Sequence, residues 1–196
     1  VNYPRFKRAG IGKAEFLDNV LYVQEYCWSV LHPGPATHGS GLITLVLDLK
    51  GLTFLGTLSN SEIVGIIKGC VQITSTHYPQ RSDKILILNV PSWFGALFSV
   101  VKPFLNEVQR AKINVFRAHE VEEGMRRFVA SDQLPPEYGG TCAVPLGRME
   151  EEQRLFKHAL QILKETGTPL DADAELKNPD GTPATLEEYL FSPSAP

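Results

Sequence analysis

Along the chain, stretches whose apolar residues return every three or four positions alternate with short runs that are apolar almost throughout. From Lys13 to Leu31, Phe16, Leu17, Val20, Leu21, Val23, Cys27 and Leu31 mark one stripe of a helix. His32-Pro33-Gly34-Pro35 stops that helix and opens a loop rich in Gly and Pro. Leu42-Ile43-Thr44-Leu45-Val46-Leu47-Asp48 follows without polar alternation, the pattern of a strand buried on both faces. Ile63, Ile66, Ile67, Cys70, Val71 and Ile73 predict a second helix, capped by Ser59 or Ser61 and ended by His77-Tyr78-Pro79. Lys84 to Val90 is a second buried strand, Glu107 to Ala111 a helical turn, Lys112 to Phe116 a third strand and Val121 to Val129 a helix. Tyr3 to Arg8 reads as a short edge strand, since Pro4 is tolerable only at an edge.

This alternation predicts an α/β fold in which helices cross over between strands of one sheet. After Gly147 the character changes. Arg148 to Glu165 is one charged amphipathic helix with Leu155, Phe156, Ala159, Leu160 and Leu163 as its stripe. The remainder is rich in Pro, Asp and Thr, an extended tail with one helical turn near Leu186 to Leu190. The expected division is a domain over residues 1–143, followed over 144–196 by the amphipathic helix and the tail.

One stretch departs from the behaviour of a surface helix. Between Pro91 and Lys102 there is no charge at all, whereas a helix on the surface carries charge on one face. Two readings stand open at this point. The segment is a fully buried core helix, or its outer face meets a bilayer interface, to which Trp93, Phe94 and Phe98 are suited.

Composition narrows the function. Charged residues make up 21% of the 196 and the formal net charge is −3, which argues against nucleic acid, because phosphate binding needs a clustered basic excess. The apolar runs are far too short to span a bilayer, so any membrane contact is expected to be peripheral. Cys27, Cys70 and Cys142 lie far apart, and the five histidines show no ligand spacing, so no metal site is expected. The odd cysteine count fits a reducing compartment. His38-Gly39-Ser40-Gly41 is faintly similar to an esterase oxyanion loop, but no G-x-S-x-G elbow accompanies it, so no hydrolase is expected.

Four motifs carry a resemblance. They are Leu47-Asp48-Leu49-Lys50-Gly51; His77-Tyr78-Pro79-Gln80-Arg81 with Lys84-Ile85; Asn89-Val90-Pro91, then Phe94, then Lys102-Pro103-Phe104-Leu105 and Lys112-Ile113; and Leu134-Pro135-Pro136-Glu137-Tyr138-Gly139-Gly140-Thr141. In order and spacing they resemble the D-L-x-G, Y-P-E-R, N-x-P…F…K-P-F-L…K-I and L-P-x-E-x-G-G signatures of the CRAL-TRIO family of lipid-binding domains. The resemblance covers roughly residues 5 to 141.

It implies a small mixed, mostly parallel sheet with helices on one face. On the other face it implies an apolar pocket closed by a mobile helical gate. The implied cavity wall is Ile43, Leu45, Leu47, Ile85, Ile87, Ile113 and Val115 from the strands, with Phe98, Val101 and Phe104 from the gate. Trp93, Phe94 and Leu97 are the implied membrane contacts. In phosphatidylinositol-binding members, the motif glutamate and the lysine of K-I contribute to the inositol phosphate site. The matching positions are Gln80 and Lys112, and Arg81 and Gln109 complete the expected headgroup set. In phosphatidylcholine-binding members, two hydroxyl residues meet the headgroup, and Ile43 and Leu45 stand there instead. The expectation is therefore a non-enzymatic, cytoplasmic, monomeric carrier, peripheral at membranes. Its ligand is one lipid, phosphatidylinositol or another phospholipid, and it has no other cofactor. The alternatives are a membrane-targeting module of a larger signalling protein, or a carrier of a sterol- or tocopherol-like ligand.

Overall fold

A computed structural model of the chain describes Lys7 and residues 10–31, 42–78, 81–144 and 148–167. The expected edge strand at Tyr3 to Arg8 lies outside these apart from Lys7, whose backbone is helical. The loop after Leu31 and the tail turn near Leu186 lie outside them entirely. The chain divides into two compact units, Val1–Phe128 and Val129–Pro196.

In the first unit, helix α1 spans Lys13–Tyr26, its start fixed by the Glu15 carboxylate, which accepts from the Gly12 N–H at 3.0 Å. It runs on as a π-helical turn, Cys27–Leu31, and there Trp28 is buried. Strand β1 (Ile43–Asp48) leads through a turn at Gly51, whose φ of +83° suits a residue without Cβ, to the four-residue helix α2 (Phe54–Thr57). Helix α3 spans Ser61–His77. Its cap is Asn60 rather than either serine: the Asn60 side-chain Oδ1 accepts from the Glu62 and Ile63 N–H groups at 3.1 and 3.3 Å. α1 packs on α3, and Gly69 of α3 lets the Leu17 side chain come close.

Strand β2 (Ser82–Leu88) leads to the charge-free helix α4 (Phe94–Val101) and a 3₁₀ turn at Lys102–Phe104. Helix α5 (Glu107–Lys112) then runs directly into strand β3 (Ile113–Val115), and helix α6 (Val121–Arg126) closes the unit. The described strands form one parallel sheet in the order β1-β2-β3. β1 and β2 share a bulge near their start: Ile43 pairs with Ser82 and Thr44 with Lys84, so Asp83 is the extra residue. The core centres on β2, where Leu86 and Leu88 are fully buried.

The second unit opens with the closing L-P-x-E-x-G-G segment, which folds on itself. Thr141 N–H donates to the Ser131 carbonyl at 2.7 Å and Cys142 N–H to the Leu134 carbonyl at 3.0 Å, while Leu134 is buried. The glycine pair has a physical reason. Gly139 ends a 3₁₀ turn at φ +86°, and a Cβ on Gly140 would collide with the Leu134 backbone. These bonds tie 129–144 together, within the compact unit that begins at Val129. Helix α7 covers Glu150–Glu165, with Glu152 accepting from the Met149 N–H at its start.

Candidate lipid-binding site

The register aligns the strand residues in rows. Leu45, Ile85 and Ile113 pair across the three strands, and so do Leu47, Ile87 and Val115. Side chains alternate along a strand, so both rows, with Ile43 at the head of β1, share one face. That face is apolar throughout. Ile87 at its centre is buried, but Leu47 is 40% and Val115 43% exposed. The other face carries Thr44, Val46, Lys84, Leu86 and Asn114, and Leu86 on it is sealed. Both faces are closed over the central strand, at Leu86 on one and Ile87 on the other, and both open at β1, where Val46 is 39% and Leu47 40% exposed; the Leu45 and Leu47 face differs in being apolar across all three strands.

Helix α4 resolves the puzzle of the charge-free stretch differently from either sequence reading. Leu97 and Val101, four residues apart on one side, are buried. The rings of Phe94 and Phe98 lie beside them, 5.8 Å apart and half-buried. The opposite side consists of Gly95, Ala96 and Ser99, all exposed, with the Ser99 hydroxyl donating to the Gly95 carbonyl at 2.8 Å. Leu97, expected at the membrane, therefore points into the protein, because it shares a helix side with Val101. Phe104, expected in the cavity, is 40% exposed: Pro103 sits in a 3₁₀ turn where the α4 register ends. Trp93 precedes α4 and meets the Phe54 ring edge-on at 5.9 Å. Sequence periodicity could not reveal α2, which is only four residues long; its signal is Thr53, whose hydroxyl accepts from the Gly56 N–H.

The polar groups gather at the two edges of the sheet. At the N-terminal edge, Arg81 enters β2 and Lys112 enters β3. The Arg81 guanidinium lies over the buried Trp28 ring, 4.6 Å from its centroid. Its Nη1 is buried and has no hydrogen-bond partner among the described residues. The Lys112 ammonium donates to the Ser82 carbonyl at 2.5 Å, which ties β3 to the bulge in β2. Gln109 does not join this group. Its side-chain oxygen accepts from the Asn106 N–H at 3.0 Å, while the Asn106 oxygen accepts from the Gln109 N–H, a reciprocal cap on α5. Gln80 lies outside the described residues.

At the C-terminal edge the D-L-x-G and N-x-P motifs meet. The Asp48 carboxylate accepts from the Lys50 N–H and from the Asn89 amide, both at 2.8 Å. Asn89 holds a left-handed φ of +53°, a conformation asparagine tolerates better than most residues. Beside the sheet, the Tyr78 hydroxyl donates to the Glu25 carboxylate. Burial, then the bond to Glu25 and its negative charge, push the Tyr78 phenol up to about 12. Burial also pushes the Cys27 and Cys70 thiols up, which disfavours the reactive thiolate. Among the described residues no three His, Cys, Asp or Glu side chains are grouped to hold a metal ion. No helix among them is long and apolar enough to cross a membrane.

The chain matches the family model of the CRAL/TRIO domain over residues 1–140. It is similar to the Sec14 cytosolic factor of Schizosaccharomyces pombe, 28% identical over 134 residues, which cover 67% of this chain and 46% of that protein. It is also similar to Patellin-4 of Arabidopsis thaliana, 32% identical over 100 residues, covering 51% of this chain and 18% of that one. The chain thus spans less than half the length of either relative. A crystal structure of Sfh5 aligns with 65% of the chain and 45% of its own, at a TM-score of 0.46 and 21% identity. With its motifs placed on a parallel sheet and the model match covering most of its length, the chain belongs to the CRAL/TRIO domain family.

Proposed function

We propose that the chain holds one phospholipid, phosphatidylinositol favoured, and transfers it between membranes without covalent chemistry. The acyl chains lie on the apolar face, along the rows of Leu45 and Leu47, with Ile43 above them. The headgroup phosphate reaches the N-terminal edge of the sheet. The observation that carries this reading is Arg81. A buried guanidinium nitrogen without an acceptor costs about 1–3 kcal/mol or more, and a phosphate oxygen placed there removes the cost. Stacking on Trp28 holds the guanidinium plane, so little side-chain freedom remains to be lost on binding. A sterol- or tocopherol-like ligand would use the same apolar face but brings no anion to Arg81.

Carriage also explains why the apolar face needs cover during transit. Each methylene drawn into water costs about 0.8 kcal/mol, so a lipid leaves a bilayer readily only into an apolar wall. We place the chain at cytoplasmic membrane surfaces, as a monomer with lipid and membrane as its partners. The test is transfer of labelled phosphatidylinositol from donor to acceptor vesicles. The chain should speed transfer well above the spontaneous rate, and Leu45→Gln, which sets an amide into the apolar row, should abolish the gain. Stable lipid retention without transfer would instead favour a membrane-targeting module with a structural ligand.

A further inference from the structure

Arg81 faces a ligand only as steadily as the ring beneath it is held. Its backbone is fixed on β1, because its carbonyl accepts from the Ile43 N–H at 3.0 Å. Its guanidinium rests on Trp28, which lies not on regular α-helix but in the π-helical turn at Cys27–Leu31. Such turns are rare and occur frequently at functional sites. The indole's own polar bond is long. Its Nε1–H donates to the Gln24 side-chain oxygen at 3.3 Å, beyond the usual range of an N–H···O bond. A further contact is needed to keep this turn beside Arg81.

A tether between two helix ends supplies it. The Tyr78 hydroxyl, just past the end of α3, donates to the Glu25 carboxylate in the last turn of α1, 53 residues away in sequence. Each partner of this bond stands one turn before a partner of the stack: Glu25 before Trp28, and Tyr78 before Arg81. Helix residues at that spacing are neighbours, so holding Glu25 holds the side of the helix from which the indole projects. On the second segment, the Arg81 N–H donates to the Tyr78 carbonyl at 3.4 Å. Tether and stack together close one ring through Glu25, Trp28, Arg81 and Tyr78. The Tyr78 phenol, pushed up to about 12, keeps the proton for its bond throughout the neutral range.

We infer that Glu25 and Tyr78 are positioning residues for the headgroup site: their bond holds the π-helical turn and its Trp28 ring in place, so that the Arg81 guanidinium is set toward a lipid phosphate. This deepens the carrier reading and rests on it for the identity of the anion. Both residues act through Arg81 and do not touch the lipid themselves, as supporting side chains around a binding group do.

The test measures retention of labelled phosphatidylinositol and of a sterol probe by the full chain, per folded molecule. Alongside, it follows the indole N–H resonance of Trp28, assigned with Trp28→Phe. Tyr78→Phe should lower phosphatidylinositol retention roughly 3- to 10-fold, leave sterol retention unchanged and shift the Trp28 resonance. Glu25→Ala should do the same, whereas Glu25→Gln, which keeps an oxygen for the phenol, should recover most of the retention. In an Arg81→Met background, adding Tyr78→Phe should lower retention no further, because the two residues act in series. A loss confined to phosphatidylinositol and absent from the Arg81→Met background supports the assignment. The same fold-loss in both backgrounds overturns it, as does an equal loss of both lipids, which would make the tether general scaffold. Phosphatidylinositol retained equally by wild type and Tyr78→Phe also overturns it and leaves the carrier reading standing. A wild type that retains no phosphatidylinositol, with the Trp28 resonance still moved by Tyr78→Phe, supports the tether and contradicts the carrier reading. With the resonance unmoved as well, both fall.

Discussion

The two edges of the sheet carry motif residues of similar polarity, yet they bond in different ways. At the C-terminal edge, Asp48, Asn89 and the Lys50 N–H satisfy one another within the turn that joins two signatures. At the N-terminal edge, Lys112 is spent on the Ser82 carbonyl, and Arg81, pressed on Trp28, keeps a buried nitrogen without an acceptor among the described residues. A polar network closed on itself fixes backbone geometry. A buried donor left over is a cost that folding alone does not explain, and a ligand can relieve it. Under the proposed function, the difference separates motif residues that build the scaffold from the one offered to a headgroup phosphate.

The sharpest way to break this contrast is Arg81→Met, which keeps an unbranched side chain against Trp28 and removes the charge. A charged hydrogen bond contributes about 1.5–3 kcal/mol, so retention of labelled phosphatidylinositol should fall about 10- to 100-fold while the thermal midpoint barely moves. A large drop in midpoint with unchanged retention would make Arg81 scaffold. Asp48→Ala should do the reverse. Losing two acceptor bonds at the turn should cost about 1–2 kcal/mol in chemical denaturation, with retention per folded molecule unchanged.

Lys112→Ala lies between the two. Loss of its bond to Ser82 should lower stability by about 1 kcal/mol. If the ammonium also reaches phosphate, phosphatidylinositol pickup should fall while pickup of a sterol probe holds. Equal loss of both would confine Lys112 to the scaffold. The smallest effect concerns Tyr78. Its folded phenol, pushed up to about 12, exceeds the ordinary value of 10.0. Its contribution to stability is therefore complete below pH 10 and is lost as pH rises toward 12. Denaturation midpoints followed through that window should fall more steeply in wild type than in Tyr78→Phe.

Much of the scaffold was legible because it rests on long, regular patterns. The stripe from Phe16 to Leu31, the helix ended by Tyr78-Pro79 and the three apolar strand runs all correspond to observed elements within a residue or two. Alternation along those strands also sufficed to group Leu45, Ile85 and Ile113, since parallel pairing without a slip keeps equal parity on one face. What stayed hidden depends on single atoms or on very short elements. Asn60 displaced both serines as cap because its side-chain Oδ1 reaches two N–H groups at once. Gln109 looked like a headgroup residue, but its oxygen is taken by the Asn106 N–H one turn earlier. Leu97 looked like a membrane contact because a charge-free helix does not announce which side faces in. Helix α2 was too short to show a period, although it bears the most exposed of the large apolar side chains described.

The central claim is that Arg81 and the apolar face together hold a phosphate-bearing lipid. Mass spectrometry of lipid extracted from the purified protein, after incubation with a eukaryotic membrane extract, tests it most directly. The account predicts a stoichiometric phospholipid signal, dominated by phosphatidylinositol, that Arg81→Met largely loses. A neutral sterol or isoprenoid retained equally by wild type and variant would contradict it.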